Sequence, residues 1–326
     1  MKYLYYFIIL FHLFNCASSV NDEVDINLRK CIDDYISQSQ VDPKTALFCN
    51  SADIRSLKGI ESFQEISQIE FLDLSGNEIE DYAPLKSLDK LAKLKIQNNN
   101  ANNYFGLSSL TNIGILEVTI KNSTNMEEIV SLDNIYNLSI VDSYLDFESM
   151  NILKGAKYLS GLWLIRSNFS YFPDLENSEK FEEIGLDQSS AVNYSNLVTL
   201  TNLKYLHLYE IATFDIELVK ELSNIKHLHI RDIYVSNYEV LENLINIEAL
   251  IINNTLLSNV QFLSKLVNLK LLNLSNNRIS SGIDSISDLV HLETLYLDHN
   301  SQIDCEKINQ LKGVLTNTGI NEPEHC

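Results

Sequence analysis

Glycine, tryptophan and positive charge are all scarce in this chain. Only 10 of 326 residues are glycine, and no glycine-rich loop able to cradle a phosphate occurs. Neither a G-x-S-x-G elbow nor an H-E-x-x-H pair is present, so no nucleophile or zinc-hydrolase machinery is spelled out. Lys and Arg number 24 against 44 Asp and Glu, a formal net charge of −20. That balance argues against a nucleic-acid partner, whose phosphates call for a basic footprint. Its plain meaning is solubility, and a basic protein partner is compatible with it. The apolar run Tyr3–Phe14 has 12 residues, too short for a bilayer core that takes about 20.

What the chain has in quantity is a repeat. Leu266, Leu269, Leu272, Leu274, Asn277 and Ile279 fit the frame L-x-x-L-x-x-L-x-L-x-x-N-x-I. The Leu272/Leu274 alternation is the period of a strand, placing both side chains on one face. Paired positions recur at Leu72, Leu94, Leu116, Leu138, Leu162, Ile184, Leu206, Leu228, Leu250, Leu272 and Leu295, each with an aliphatic residue two places on. The step is 22 throughout, except 24 between Leu138 and Leu162 and 23 between Leu272 and Leu295. One such coil cannot bury its own leucines, so coils must stack. This predicts an α/β solenoid, a leucine-rich-repeat horseshoe with a parallel, concave β-sheet. Asn77, Asn99, Asn277 and Asn300 occupy the corner position, where a carboxamide bonds the backbone of neighbouring coils. Lys121, Ser143, Ser167, Ser189, Ile211, Ile233 and Thr255 replace it in the middle.

The ends read differently. Residues 1–19 have the form of a signal peptide, with Lys2 ahead of the apolar run. Leu13-Phe14-Asn15-Cys16 resembles a lipobox, which would make Cys16 a site of lipid attachment; Ala17-Ser18-Ser19 offers ordinary cleavage instead. The product is expected to be exported, either lipid-anchored in the cell envelope or secreted, and to meet membrane only through that anchor. Val24, Leu28, Ile32 and Ile36 recur every four residues, a helix that caps the solenoid. Ala46–Leu57 imitates a leading coil, so the cap and leading coil span 20–58. Eleven repeats follow over 59–303. Asp304 begins a C-terminal cap, 304–326, with Ile308, Leu311 and Leu315 on one helical face and Gly319 and Pro323 as stop signals. Of five cysteines, Cys31 and Cys49 precede the repeats, and Cys305 and Cys326 follow them. Only the pairings Cys31–Cys49 and Cys305–Cys326 join residues at the same end of a rod, and they suit an oxidising compartment.

The 22-residue frame, the Asp81-Tyr82-Ala83-Pro84-Leu85 corner, the helical cap and the cysteine before the first strand resemble the repeats of bacterial internalin-type surface proteins. The resemblance covers about Cys31 to Ile303. It implies a protein-binding module without enzymatic activity.

If leucines point inward, the residues between them form columns on the open face, with strands about 4.8 Å apart. The central column reads Asp73, Lys95, Glu117, Ser139, Trp163, Gly185, His207, His229, Ile251, Asn273 and Tyr296. Tyr205 lies beside His227 in one flanking column; Ile165, Asp187, Tyr209 and Arg231 follow one another in the other. The single tryptophan is thus expected at the surface with tyrosines, histidines and an arginine, residue types that dominate interfaces. Gly185 is expected to leave a gap of about 9–10 Å between Trp163 and His207, room for a partner's side chain. The expected partner-binding set is Trp163, Ile165, Asp187, Tyr205, His207, Tyr209, His227, His229, Arg231 and Ile251. Histidines that titrate near neutrality would make such contact pH-dependent. His207, His227 and His229 invite a metal, but side chains on a shallow sheet diverge where ligands must converge, so no metal or cofactor is expected. Asp187 beside His207 or His229 lacks a nucleophile. The competing expectation is an envelope protein whose surface has no single partner.

Overall fold

A computed structural model describes residues 24–38, 45–99, 104–172, 175 and 180–326. The leader, including Cys16 and both cleavage alternatives, lies outside these residues. The chain divides into two compact units, Met1–Asn112 and Ile113–Cys326.

In the first unit, helix α1 (Ile26–Gln38) is followed by strands β1 (Ala46–Phe48), β2 (Phe71–Asp73) and β3 (Lys93–Lys95). The strands are parallel, with Leu47, Leu72 and Leu94 in one register. All three are buried, as are Leu28 and Ile32 of α1. Each such burial is worth about 1.5–3 kcal/mol before chain entropy is charged against it. Cys31 of α1 and Cys49 just after β1 form a disulfide with Cα atoms 5.7 Å apart. At the corner, Asn77 Nδ2 donates to the carbonyls of Cys49 (2.8 Å) and Leu74 (2.9 Å), and its Oδ1 accepts from the amides of Ala52 and Ile54, both at 3.0 Å. One carboxamide therefore laces two successive coils and satisfies backbone groups that no ladder reaches.

The second unit contains β4 (Ile115–Val118), α2 (Ser123–Val130), β5 (Asn137–Val141), β6 (Tyr144–Leu145), α3 (Phe147–Ile152), β7 (Gly161–Ile165), β8 (Asn168–Tyr171), β9 (Glu183–Asp187) and β10 (Ser190–Asn193). It continues through β11 (Tyr205–Tyr209), β12 (His227–Arg231), β13 (Ala249–Asn253), β14 (Leu271–Asn273), β15 (Thr294–Tyr296), α4 (Cys305–Val314) and β16 (Gly319–Asn321). Strands β4, β5, β7, β9 and β11 to β16 pair side by side in that order, all parallel. Leu116, Leu138, Leu162, Ile184, Leu206, Leu228, Leu250, Leu272 and Leu295 line the interior at 1% exposure or less. Short 3-10 turns such as Ser195–Thr199 and Gln261–Lys265 carry the chain back to the next strand. The strand period and the 22-residue step thus build the leucine-rich-repeat fold that the sequence predicts.

Corners in the second unit use two chemistries. Asn277 Nδ2 bonds the carbonyls of Ile252 (2.6 Å) and Leu274 (2.9 Å), and Oδ1 accepts from the amides of Thr255 (3.0 Å) and Leu257 (3.2 Å). Where the amide is missing, hydroxyls form a ladder. Ile120 N donates to Ser143 Oγ (2.8 Å), Ser143 N to Ser167 Oγ (3.1 Å), and Ser167 N to Ser189 Oγ (2.9 Å). Ile211 and Ile233 continue the position as buried aliphatics without a polar group. Just before every corner of this unit except that of Lys121 the backbone turns left-handed, with φ of 46° to 60° at Asp142, Arg166, Gln188, Glu210, Asp232, Asn254, Asn276 and His299. None is glycine. Coil-to-coil bonds such as Arg166 N to Asp187 O (2.8 Å) and Gln188 N to Tyr209 O (2.9 Å) hold them there.

Three features depart from the periodic reading. Strands β6, β8 and β10 form a second parallel sheet behind the serine corners. Helices α2 and α3 replace tight turns, and α3 takes up residues of the longer 24-step coil. Gly319, expected as a stop signal, instead starts β16, whose Ile320 aligns with Leu295. Asp304 caps α4 through Oδ1 and the Glu306 amide at 2.9 Å, and Cys305 and Cys326 are bonded with Cα atoms 5.2 Å apart. No helix of the described residues is long and apolar enough to cross a membrane.

Candidate functional site

The pairing registers align Ser139, Trp163, Gly185, His207, His229 and Ile251 across β5, β7, β9, β11, β12 and β13. Their neighbours in sequence are interior leucines and isoleucines, so alternation sends these residues to the opposite, outer face. Trp163 is half-buried there and is not among the core residues.

Gly185 does not leave a gap. A Cβ built on it would fall 2.1 Å from Cε3 and 2.2 Å from Cδ2 of Trp163. The indole leans from its own strand into the space of the missing side chain, corrects the expected opening and stacks on His207 with centroids 4.9 Å apart and planes 26° from parallel. Burying that ring edge against a neighbouring ring is more favourable than leaving an apolar slot filled with water. Indole Nε1 donates to Glu183 Oε1 at 3.0 Å, fixing the far edge.

From His207 a chain of polar contacts crosses the face. Tyr209 Oη lies 3.1 Å from His207 Nδ1 and 2.8 Å from His229 Nδ1. A phenol has one proton, so it donates to one imidazole and accepts from the other. His207 Nε2 faces Glu183 Oε1 at 3.7 Å, and a carboxylate favours a protonated nitrogen opposite it. That favours the proton of His207 on Nε2 and leaves Nδ1 to the Tyr209 hydroxyl. His229 Nε2 is buried beside the Asn253 carboxamide, which opposes the effect of burial on the ring, and Asn253 Nδ2 donates to Asn273 Oδ1 at 2.9 Å. At the far end the guanidinium of Arg231 lies over the Tyr209 ring, 4.5 Å from its centroid, and meets Glu210 at 3.7 Å and Asp232 at 3.3 Å.

The electrostatics follow burial. Desolvation lowers the pKa of His207, offset in part by Glu183, and lowers that of His227. His229 falls to about 4, through burial first and then the proximity of His207 and Arg231. These rings are therefore neutral at physiological pH. For His229 that moves titration away from neutrality, where the expectation drawn from a solvated imidazole had put it. Burial also holds the Asp187 carboxyl above its usual range, with Arg231 opposing the shift, and raises the Tyr209 phenol.

Of the ten residues expected at this site, Trp163, His207, Tyr209, His229 and Arg231 form one connected network. Tyr205 and His227 make a separate stack, centroids 4.8 Å apart, in the adjacent column. Ile165 and Asp187 stand beside Tyr209 by register, and Ile251 borders His229. Glu183, which anchors the indole and faces His207, escaped the sequence reading. Its flanking column was in view, but the sideways lean of Trp163 was not. Among the described residues, the one grouping with metal-ligand geometry is Cys305, His325 and Cys326, whose sulfurs are already joined to each other.

Comparison with known proteins fits this architecture. The family described as Leucine Rich repeats (2 copies) matches residues 267–313. An internalin (inlF) of Listeria monocytogenes superposes with a TM-score of 0.60 at 24% identity, over 92% of this chain and 90% of that one. A leucine-rich-repeat protein of Leptospira interrogans aligns at 18% identity and a TM-score of 0.49, over 82% and 81% of the two chains. TLR13, solved as its complex with ssRNA13, aligns at 18% identity and a TM-score of 0.50, over 85% of this chain and 53% of that one. No curated protein matches the sequence.

Proposed function

We propose that this chain is an exported protein-binding module that engages its partner through the outer face of strands β7 to β13. The observation that carries the reading is the network from Trp163 through His207, Tyr209 and His229 to Arg231. A set of rings locked to one another presents its contact area with little rotamer entropy left to lose on binding. The interior leucines, on the opposite face of the same strands, are buried without such a network. Tyr205, 36% exposed, extends the aromatic surface beside it. Binding rather than catalysis fits the same residues, since the hydroxyl that His207 and His229 share is the Tyr209 phenol, which burial makes harder to ionise into a nucleophile. The net charge of −20 weighs against nucleic acid as the partner. The leader and the paired cysteines support export, with Cys16 either acylated or removed; mass spectrometry of the mature N-terminus decides which.

The test is a partner pull-down with wild-type chain and the double variant Trp163→Ala, Tyr209→Ala. Capture should be lost while far-ultraviolet circular dichroism is unchanged, because neither side chain lies between the coils. A double variant that captures the same partner with the same affinity removes this face from consideration.

A further inference from the structure

The outer face already shows how this chain holds a cation. Arg231 rests on the Tyr209 ring between two carboxylates, Glu210 and Asp232. Trp163 repeats the arrangement without its cation. Indole is the strongest π acceptor among the aromatic side chains, and its edge is held by Glu183. Among the described residues, the cations that lie over rings are Arg29, Lys93, Lys180 and Arg231, and none of them is over Trp163. The neighbouring Arg166 is bonded to Asp142 at 2.7 and 2.9 Å, and the charges of Asp187 and Glu117 also bear on it.

The approach is one-sided. His207 covers one side of the indole and Gly185 lies beneath it. The other side looks toward β5, where the residue in register with Trp163 is the small Ser139, and Glu117 follows on β4. We propose that the partner docks a lysine or arginine side chain on the side of the Trp163 indole that faces Ser139, with Glu183 balancing its charge. This rests on the binding face proposed above and adds the chemistry of the partner. Burial keeps His207 neutral, so the ring behind the indole does not repel an incoming cation. The chain's excess of 44 acidic over 24 basic residues steers basic surfaces toward it at low salt.

The experiment is to pan a random-peptide display library against the full chain and measure selected peptides by calorimetry. Selected peptides should carry lysine or arginine. Replacing that residue with norleucine should weaken binding about tenfold or more, and added salt should weaken it further. Trp163→Leu and Glu183→Gln should each reduce affinity, and Ser139→Leu should do so by filling the approach while leaving the stack in place. Peptides that need Trp163 but contain no basic residue overturn this inference and leave the binding face standing. Peptides that bind Trp163→Leu as tightly as wild type, or a library that yields no Trp163-dependent peptide, overturn both.

Discussion

Replacing Gly185 with valine sets two physical effects against each other. Glycine inside a strand is unfavourable by about 0.5–1 kcal/mol relative to alanine, and valine is a good strand former, so local propensity alone predicts stabilisation. The seating of Trp163 predicts the opposite. With a Cβ only 2.1 Å from the indole, any side chain at 185 expels the ring from its place beside His207. The loss comprises a ring pair worth about 0.5–1.5 kcal/mol and a hydrogen bond to a carboxylate worth about 1.5 kcal/mol, reduced because solvent reaches the site. Roughly 2 kcal/mol lost against less than 1 gained leaves a net destabilisation of about 1–2 kcal/mol. Trp163 is the only tryptophan, so its emission reports this place alone. Gly185→Val should shift the emission to the red as the indole enters water, and urea denaturation followed by circular dichroism should give the stability change. An unshifted spectrum together with equal or higher stability refutes the seating and the platform built on it.

Asn277→Ala removes a buried carboxamide that bonds two carbonyls and two amides. It should cost about 3 kcal/mol or more in urea denaturation, whereas Ser143→Ala, which removes a single hydroxyl from the ladder, should cost about 1–2. Burial lowers the pKa of His229 from 6.5 to about 4, so the unfolded chain takes up a proton before the folded one does. Stability should therefore fall as pH drops from about 6.5 toward 4, by at most about 3 kcal/mol and nearer half that because solvent reaches the ring. Equilibrium unfolding of His229→Gln across that range should show a shallower slope. Cys31→Ser opens a loop of 18 residues and should lower stability by about 3 kcal/mol; reducing the wild-type chain opens the Cys305–Cys326 bond as well and should cost at least as much, and thermal denaturation measures both.

Most of the winding was legible in the residues. Leucines at a step of 22 have one way to be buried together, and the registers from Leu116 to Leu295 follow that step. Alternation also placed Trp163, His207 and His229 on the outer face. What period cannot encode is how a side chain leans once it is there. Trp163 crosses to the next strand because Gly185 has no side chain, and that removed the expected opening and brought in Glu183. The neutral histidines were missed for a related reason: their titration depends on crowding by neighbouring rings, which a column of residue types does not convey. The second sheet and β16 were hidden because β6, β8, β10 and β16 are short and follow no leucine frame. The serine corners were a visible signal that the backbone behind them differed. Their consequence, a continuous hydroxyl ladder, needed the coordinates.

Two corners behind the proposed binding face, Ile211 and Ile233, carry no side-chain lacing. A carboxamide at Asn277 or Asn300 ties adjacent turns through several bonds, the hydroxyls of Ser167 and Ser189 each join one amide to carbonyls of two coils, and Ile211 and Ile233 contribute none. The coils with the fewest corner ties are therefore those of β11 and β12, which carry His207, Tyr209, His229 and Arg231. Backbone amides of those two coils should exchange sooner than those beside Asn277 and Asn300, and a binding face resting on them would adjust to a partly mismatched guest at small expense.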